Sequence, residues 1–306
     1  MLEFITVFLV CYLLHALGVT IGYHRLLSHR SFNCPKFVEY FWVLMGYLAF
    51  EGSPIWWATI HRAHHRYVDT PLDPHSPRYG FYNAHVGWLT HKTYAKHINP
   101  QSQSKDLIGD PLYRFLEQGG DWSRAHALTF AIGIGLRLLV WAYFGWVPAL
   151  ASLLAAVGVL QIPLMLNVVC HMPKLGYKNF QCADDSVNVW WVALLAMGEG
   201  WHNNHHVFQG SARSGLRAHE FDLSWLVICA MRKLGLASRI NEVSRAKVAA
   251  RLKGSRTHSA TKQSIILTEA KEYATLPLSA KALAPHVARQ RAILKRNSSC
   301  SRSRLS

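Results

Sequence analysis

Apolar residues fall in long stretches here, not in the short alternations of a soluble fold. Residues 2–23 are apolar apart from Glu3, Thr6, Thr20 and His15, and a helix needs about 20 such residues to cross a bilayer. No Lys or Arg opens the chain and no small-residue cleavage site comes after it, so a retained helix is expected rather than a secretory leader. Residues 37–60 form a second apolar run, rich in Phe, Tyr and Trp but broken by Glu39, Glu51, Gly52 and Pro54. That mixture predicts an interfacial or re-entrant segment, because Trp and Tyr gather where bilayer meets water. Residues 66–124 are polar and loop-rich, with many Pro, Gly, Asn and Asp. The longest apolar stretch is split at Phe144-Gly145-Trp146-Val147-Pro148, which predicts two spans over 128–144 and 149–170. Arg137 lies inside the first of these and must face protein or snorkel. Gly135, Leu136, Trp141 and Trp146 are expected to pack, with the wall of a substrate tunnel as the alternative. Residues 187–197 are too short to span, and 221–236 are amphipathic. From about Arg245 the periodicity is lost. The pattern predicts an all-α integral membrane protein over 1–242, with a helical cap, and a basic, disordered tail over 243–306.

Charge changes this picture only by its location. The chain has 306 residues and a formal net charge of +16. Residues 243–306 carry 14 basic and 2 acidic residues, and residues 1–242 carry 19 and 15. The body is therefore nearly balanced, which excludes a basic nucleic-acid-binding domain. The tail's excess would at most attract anionic lipid. Six cysteines stand apart with no C-x-x-C pair, so neither a disulfide framework nor a zinc ribbon is expected.

Histidine supplies the candidate chemistry, with 18 residues. His24 and His29 form H-x-x-x-x-H; His61, His64 and His65 form H-x-x-H-H; His202, His205 and His206 repeat it. The i, i+3, i+4 triple places three imidazoles on one helix face. His24 and His29 would be about 140° apart on an α-helix, so they converge only if the helix ends or bends there. His171 is the best ninth ligand, with Asn167 on its face at i−4. Nine imidazoles exceed one ion's capacity, so two metals are expected, and imidazole alone does not choose among Fe, Zn, Cu and Ni. A carboxylate-bridged site would want two E-x-x-H motifs, and only Glu199-Gly200-Trp201-His202 matches. Glu199, Asp69 and Asp73 are instead candidates for orienting ligand rings. The remaining histidines, among them His15, His75, His85, His91, His97, His126, His219, His258 and His286, are expected to be structural or solvated.

These boxes resemble the membrane fatty acyl desaturases, of the delta-9 (stearoyl) type. The likeness rests on Gly18-Val19-Thr20-Ile21-Gly22-Tyr23-His24-Arg25-Leu26-Leu27-Ser28-His29, on His61-Arg62-Ala63-His64-His65, on Asp73-Pro74-His75-Ser76-Pro77, on His85-Val86-Gly87-Trp88, and on Gly198-Glu199-Gly200-Trp201-His202-Asn203-Asn204-His205-His206. It spans about residues 10–240, and the Trp-His-Asn-Asn-His-His form resembles the bacterial branch. The resemblance implies two irons held by His24, His29, His61, His64, His65, His171, His202, His205 and His206, with Asn167 holding a metal-bound water. It also implies O2 as co-substrate and an acyl thioester or acyl lipid as substrate. No fused cytochrome b5-like segment is present, so electrons are expected from a separate ferredoxin or cytochrome b5. The family usually has four spans, and the fourth would precede residue 1.

Topology can be read from the boxes without the resemblance. If all meet at one site, 37–60 cannot cross, 128–170 crosses twice and 2–23 crosses once. No Lys or Arg precedes Arg25 or lies in the 145–148 turn, so the histidine side and the C-terminus are expected to be cytoplasmic, at the inner membrane of a bacterium. Two other functions compete. A lipid hydroxylase would share the centre and differ in product. A metal transporter would place ligands in mid-membrane, whereas these boxes sit at helix ends and in loops.

Overall fold

The computed structural model describes residues 1–91 and 94–253. Every regular element among them is a helix, and three isolated backbone bridges join loops. The chain opens with α1 (Leu2–Leu17), which continues without a break into a π-helical segment, Gly18–Ser28. The expected second segment, 37–60, is a bent pair: α2 (Lys36–Tyr47) and α3 (Pro54–Tyr67). Ser53 and Pro54 restart the helix, the Ser53 hydroxyl accepting from Ile55 N and Pro54 taking the first helical position.

The loop-rich stretch 66–124 also carries short helices. They are α4 (Phe81–His85), α5 (Pro100–Gln103), α6 (Lys105–Ile108) and α7 (Pro111–Glu117). The same Pro, Asn and Asp that suggested turns act as caps: Asn99 accepts from Gln101 N, and Asp110 accepts from Leu112 N and Tyr113 N. The long pair α8 (Trp122–Phe144) and α9 (Trp146–Val169) comes next. Beyond it lie α10 (Trp190–Leu195), α11 (His202–Val207), α12 (Leu223–Lys233) and α13 (Arg245–Lys253). The last falls where the sequence predicts lost periodicity. The rest of the expected tail, with His258 and His286, lies outside the described residues, as does the His91 side chain.

Three helices among the described residues are long and apolar enough to cross a membrane: Leu2–Ser28, Trp122–Phe144 and Trp146–Val169. α9 packs along both α1 and α8. Only a narrow stripe of α8 is buried, Ala125, Thr129, Gly133 and Arg137, each four residues on from the last. Trp122, His126 and Phe130 line the cavity described below, and Phe130 stacks on Phe50. Leu136, Trp141 and Trp146 are exposed, and neither they nor Gly135 are among the cavity-lining residues. Arg137 takes the protein-facing alternative: it donates to Gly133 O at 2.7 Å and to Leu48 O at 3.0 Å, with Phe50 beneath it. It thereby ties the α2–α3 turn to α8. The π segment crosses α2 at glycines. A methyl group on Gly22 would meet the backbone of Trp42 at 2.8 Å, and one on Gly18 would overlap Gly46. These close crossings seat the His24 end of the first span against the cap.

Candidate metal centre

The first histidine pair shows how backbone geometry builds the site. A π-helix bonds residue i+5 to residue i, so side chains five apart stand nearly in line. His29 N donates to His24 O at 3.1 Å, and the two rings lie 4.7 Å apart. On α3 and α11 ordinary helical spacing does the same work, with His61 and His65 Nε2 3.0 Å apart and His202 and His206 Nε2 2.9 Å apart.

The nine expected histidines meet in two adjoining groups. His24, His29, His61, His65 and His205 form one; His64, His171, His202 and His206 form the other. Each group draws on three separate elements, so neither is a local accident. Asn167 borders the adjoining cavity, and its amide nitrogen is 3.5 Å from His75 Nε2.

Carboxylates set the outer nitrogens. Glu199 Oε2 lies 2.8 Å from His24 Nδ1, Asp73 Oδ1 3.1 Å from His64 Nδ1, and Asp69 Oδ2 3.0 Å from His171 Nδ1. A fourth, Asp184 Oδ2, is 3.6 Å from His206 Nδ1. Sequence reading missed Asp184 because nothing in its local pattern points to residue 206. Glu199 also accepts from Arg25 Nε at 3.0 Å, and Arg25, fully buried, is closed on its other side by Asp222 at 2.9 Å. Of the two roles expected for His75, structural or solvated, burial excludes the second: it lies among His64, Asp73 and the cavity wall.

Burial and neighbouring charge set the protonation states. Burial, reinforced by neighbouring imidazoles, pushes His29, His61, His65, His202 and His205 well below the usual histidine range. His206 falls to about 4 by burial, against the pull of Asp184. Burial opposes ionisation of Glu199, yet its contacts with His24 and Arg25 win and hold it below the usual glutamate range.

At His24, His64, His171 and His206 a carboxylate faces Nδ1, so Nε2 is the nitrogen turned inward. The inner Nε2 atoms of the two groups crowd one another, those of rings with no carboxylate behind them included: His29 to His61 at 2.9 Å, His205 to His65 at 2.9 Å, His171 to His202 at 3.1 Å. His64 Nε2 is buried with no hydrogen-bond partner. Lone pairs so placed repel unless a cation sits among them, and all-nitrogen sets of this kind suit transition metals. The residues present fit a metal in each group.

A cavity of about 330 Å³ runs against the first group, walled by His24, His61, Trp57, Ile60, Phe130 and Leu164, among others. Most of its exposed lining is apolar, with the metal-site histidines, Asn167, Glu199 and Gln161 among its polar members. Glu51 also lines it: 4% exposed, it accepts from Trp57 Nε1 at 2.9 Å, and burial pushes its carboxyl up to about 8. Beside it a second pocket of about 310 Å³ shares Trp56, Trp122 and His126 and adds Tyr94, Glu117 and Asp121.

A membrane-spanning helical protein whose cap gathers histidines from both ends of the chain, next to an apolar cavity, is a membrane metalloprotein built to act on a greasy substrate. Residues 3–222 match the family model for fatty acid desaturase. The chain is 41% identical over 227 residues to an sn-1 stearoyl-lipid 9-desaturase of Anabaena variabilis, covering 73% of this chain and 78% of that protein. It is 39% identical over 240 residues to an acyl-CoA C20 Delta5-desaturase of Anemone leveillei (76% and 73% covered). It is 36% identical over 240 residues to the delta-9 acyl-lipid desaturase 1 of Arabidopsis thaliana (76% and 73%). The chain belongs to the fatty acid desaturase family and is an acyl desaturase.

Proposed function

We propose that the protein introduces a cis double bond, of delta-9 type, into a saturated acyl chain carried as a thioester or lipid ester. Two irons would be held, one by His24, His29, His61, His65 and His205, the other by His64, His171, His202 and His206. When bound, iron supplies the O2-dependent oxidation of an unactivated C–H bond, which no side chain can perform. The reaction consumes O2, two electrons and two protons and removes two hydrogens from adjacent methylenes, leaving a double bond and two waters. The electrons come from a separate ferredoxin or cytochrome b5. Asn167 is proposed to hold a metal-bound water at the cavity wall.

The protein's own residues do the rest. The cavity walls hold the acyl chain beside His24 and His61 and exclude bulk water. Trp57, stacked on His61 at 5.0 Å and fixed by Glu51, shapes the passage at the centre. The pocket of Tyr94, Glu117 and Asp121 would receive the polar end of the substrate. Glu199, Asp73, Asp69 and Asp184 orient ligand rings. The histidine side is proposed to be cytoplasmic, in keeping with the bias of Lys and Arg.

The observation that carries this reading is the apolar cavity lying directly against the five-histidine group. Fatty-acid profiling by gas chromatography–mass spectrometry, after expression in a host lacking its own desaturase, tests it. New monounsaturated chains are expected. Hydroxylated chains in their place would assign the protein to the hydroxylases.

A further inference from the structure

An oxidase that draws electrons from a separate protein needs a place to receive it, and the charges around His29 mark one; this inference rests on the desaturase reading. Of the nine clustered histidines, seven are buried and two, His29 and His61, are partly exposed. His61 forms part of the apolar cavity wall and lies under Trp57. His29 is not among the cavity-lining residues. It closes the π segment, and the next residue, Arg30, takes a left-handed conformation (φ 51°) with its side chain 46% exposed.

Basic residues surround that point. Arg62 lies alongside, donating to Ser28 O at 2.9 Å and Leu27 O at 2.6 Å, and shares Asp106 with Arg30, each ion pair being 2.7 Å. Arg66, one turn further along α3, and Lys105, at the start of α6, are both exposed. Backbone pairing of Asn33 with Ser238, and of Asn241 N with Ser31 O, brings the exposed Arg239 to the same edge. Asp106 is the carboxylate in their midst. The cluster lies beyond the end of the Leu2–Ser28 span rather than along its lipid-facing length.

We propose that this rim is the docking face for a small one-electron carrier protein with an acidic surface, which reaches the centre at the His29 edge. A double bond requires two electrons, so a one-electron carrier must bind and leave twice per turnover. Such encounters use small, charged interfaces. Charge complementarity raises their association rate and makes it fall with salt.

The test uses the full-length, iron-loaded protein in nanodiscs of zwitterionic lipid. Binding of two oxidised acidic carriers, a plant-type ferredoxin and a cytochrome b5, is monitored by biolayer interferometry from low to physiological salt. At least one should bind wild type in a salt-sensitive way. The double variant Lys105→Glu/Arg239→Glu should bind it roughly tenfold or more weakly at low salt, the order expected of lost steering. Its metal content and melting midpoint serve as the check on folding. A carrier with surface Glu→Lys changes should regain affinity for the double variant. Equal binding to wild type and variant overturns the proposal, as does salt-indifferent binding. A defect confined to anionic vesicles, with carrier binding intact, reassigns the rim to lipid and also overturns it. Failure of the desaturase reading would look different: no unsaturated product from the wild type even with dithionite as reductant.

Discussion

Replacing Glu199 by Gln isolates what the outer carboxylates contribute. The Glu199 side chain is 7% exposed and touches two partners, His24 Nδ1 at 2.8 Å and Arg25 Nε at 3.0 Å. Gln keeps the volume and one acceptor but removes the charge. Two consequences can be sized. Losing the carboxylate behind a ligand ring weakens metal binding by about 10–100-fold, or roughly 1.4–2.8 kcal/mol. Separately, Arg25 keeps Asp222 at 2.9 Å as its remaining charged partner, so folding stability falls by less than the 3–5 kcal/mol typical of a wholly stripped buried ion. The loss of metal should be selective. Glu199 contacts His24 in the five-histidine group, whereas Asp73 and Asp69 contact His64 and His171 in the other. Iron per chain, measured by plasma mass spectrometry through a chelator titration, should fall in two steps, the weaker shifted by the stated factor. The acid limb should shift too. Glu199 titrates below its ordinary 4.5 in the folded state, so its stabilisation is complete above that pH and lost as pH falls through the lower folded value. Glu199→Gln lacks that loss. A variant binding two irons with wild-type affinity would refute the assignment of Glu199 to ring orientation.

Glu51 has the opposite sign: its carboxyl rises from 4.5 to about 8, so wild-type stability should fall as pH climbs through that window. Glu51→Gln should abolish this slope, a difference of at most about 5 kcal/mol at 1.36 kcal/mol per unit; parallel melting curves from pH 5 to about 8 would refute it. Gly22→Val should cost about 1–3 kcal/mol or more by overpacking against the Trp42 backbone, seen as a lower melting midpoint in detergent together with reduced iron, since the same crossing seats His24. Arg137→Lys cannot reach Gly133 O and Leu48 O together as the guanidinium does, and should lower the midpoint by the equivalent of about 1–3 kcal/mol; an unchanged midpoint would show that the α2–α3 turn holds without it.

Features that depend on one element at a time could be read in the sequence. Two H-x-x-H-H boxes put their rings on one face by helical spacing, and α3 and α11 carry them so. The three spans are runs of apolar residues, and the helices differ from them only at their ends, reaching on to Ser28, back to Trp122 and back to Trp146, and stopping at Val169. The H-x-x-x-x-H pair was legible only as a demand for unusual backbone; the π segment answers it without ending the helix. The short helices within the loop-rich stretch 66–124 were not legible, because Pro, Asn and Asp serve equally in a turn and at a helix start, and here short helices begin directly after Asn99 and Asp110.

Contacts made between elements left no such mark. Asp184 reaches His206, and Arg25 reaches Asp222, across 22 and 197 residues. His75 looked like a loop residue because its burial is imposed by His64 and Trp88, not by its neighbours in sequence. The cavity wall was equally unmarked. Trp141 and Trp146 suit packing or a tunnel by size, yet a spanning helix must also offer large apolar side chains to lipid; both are exposed, while Trp122, His126 and Phe130 of α8 line the cavity. In water an exposed Trp on a long helix would signal a partner; in a bilayer it signals none. Hydrophobicity therefore finds the spans but says nothing about which face lines the cavity. That distinction falls to the polar residues that break the pattern: Glu51, which sits on the cavity wall, and Arg137, buried on the protein-facing stripe of α8. A charge inside an apolar segment is costly enough to be retained only against protein, so in this chain such residues are better guides to the interior than any aromatic.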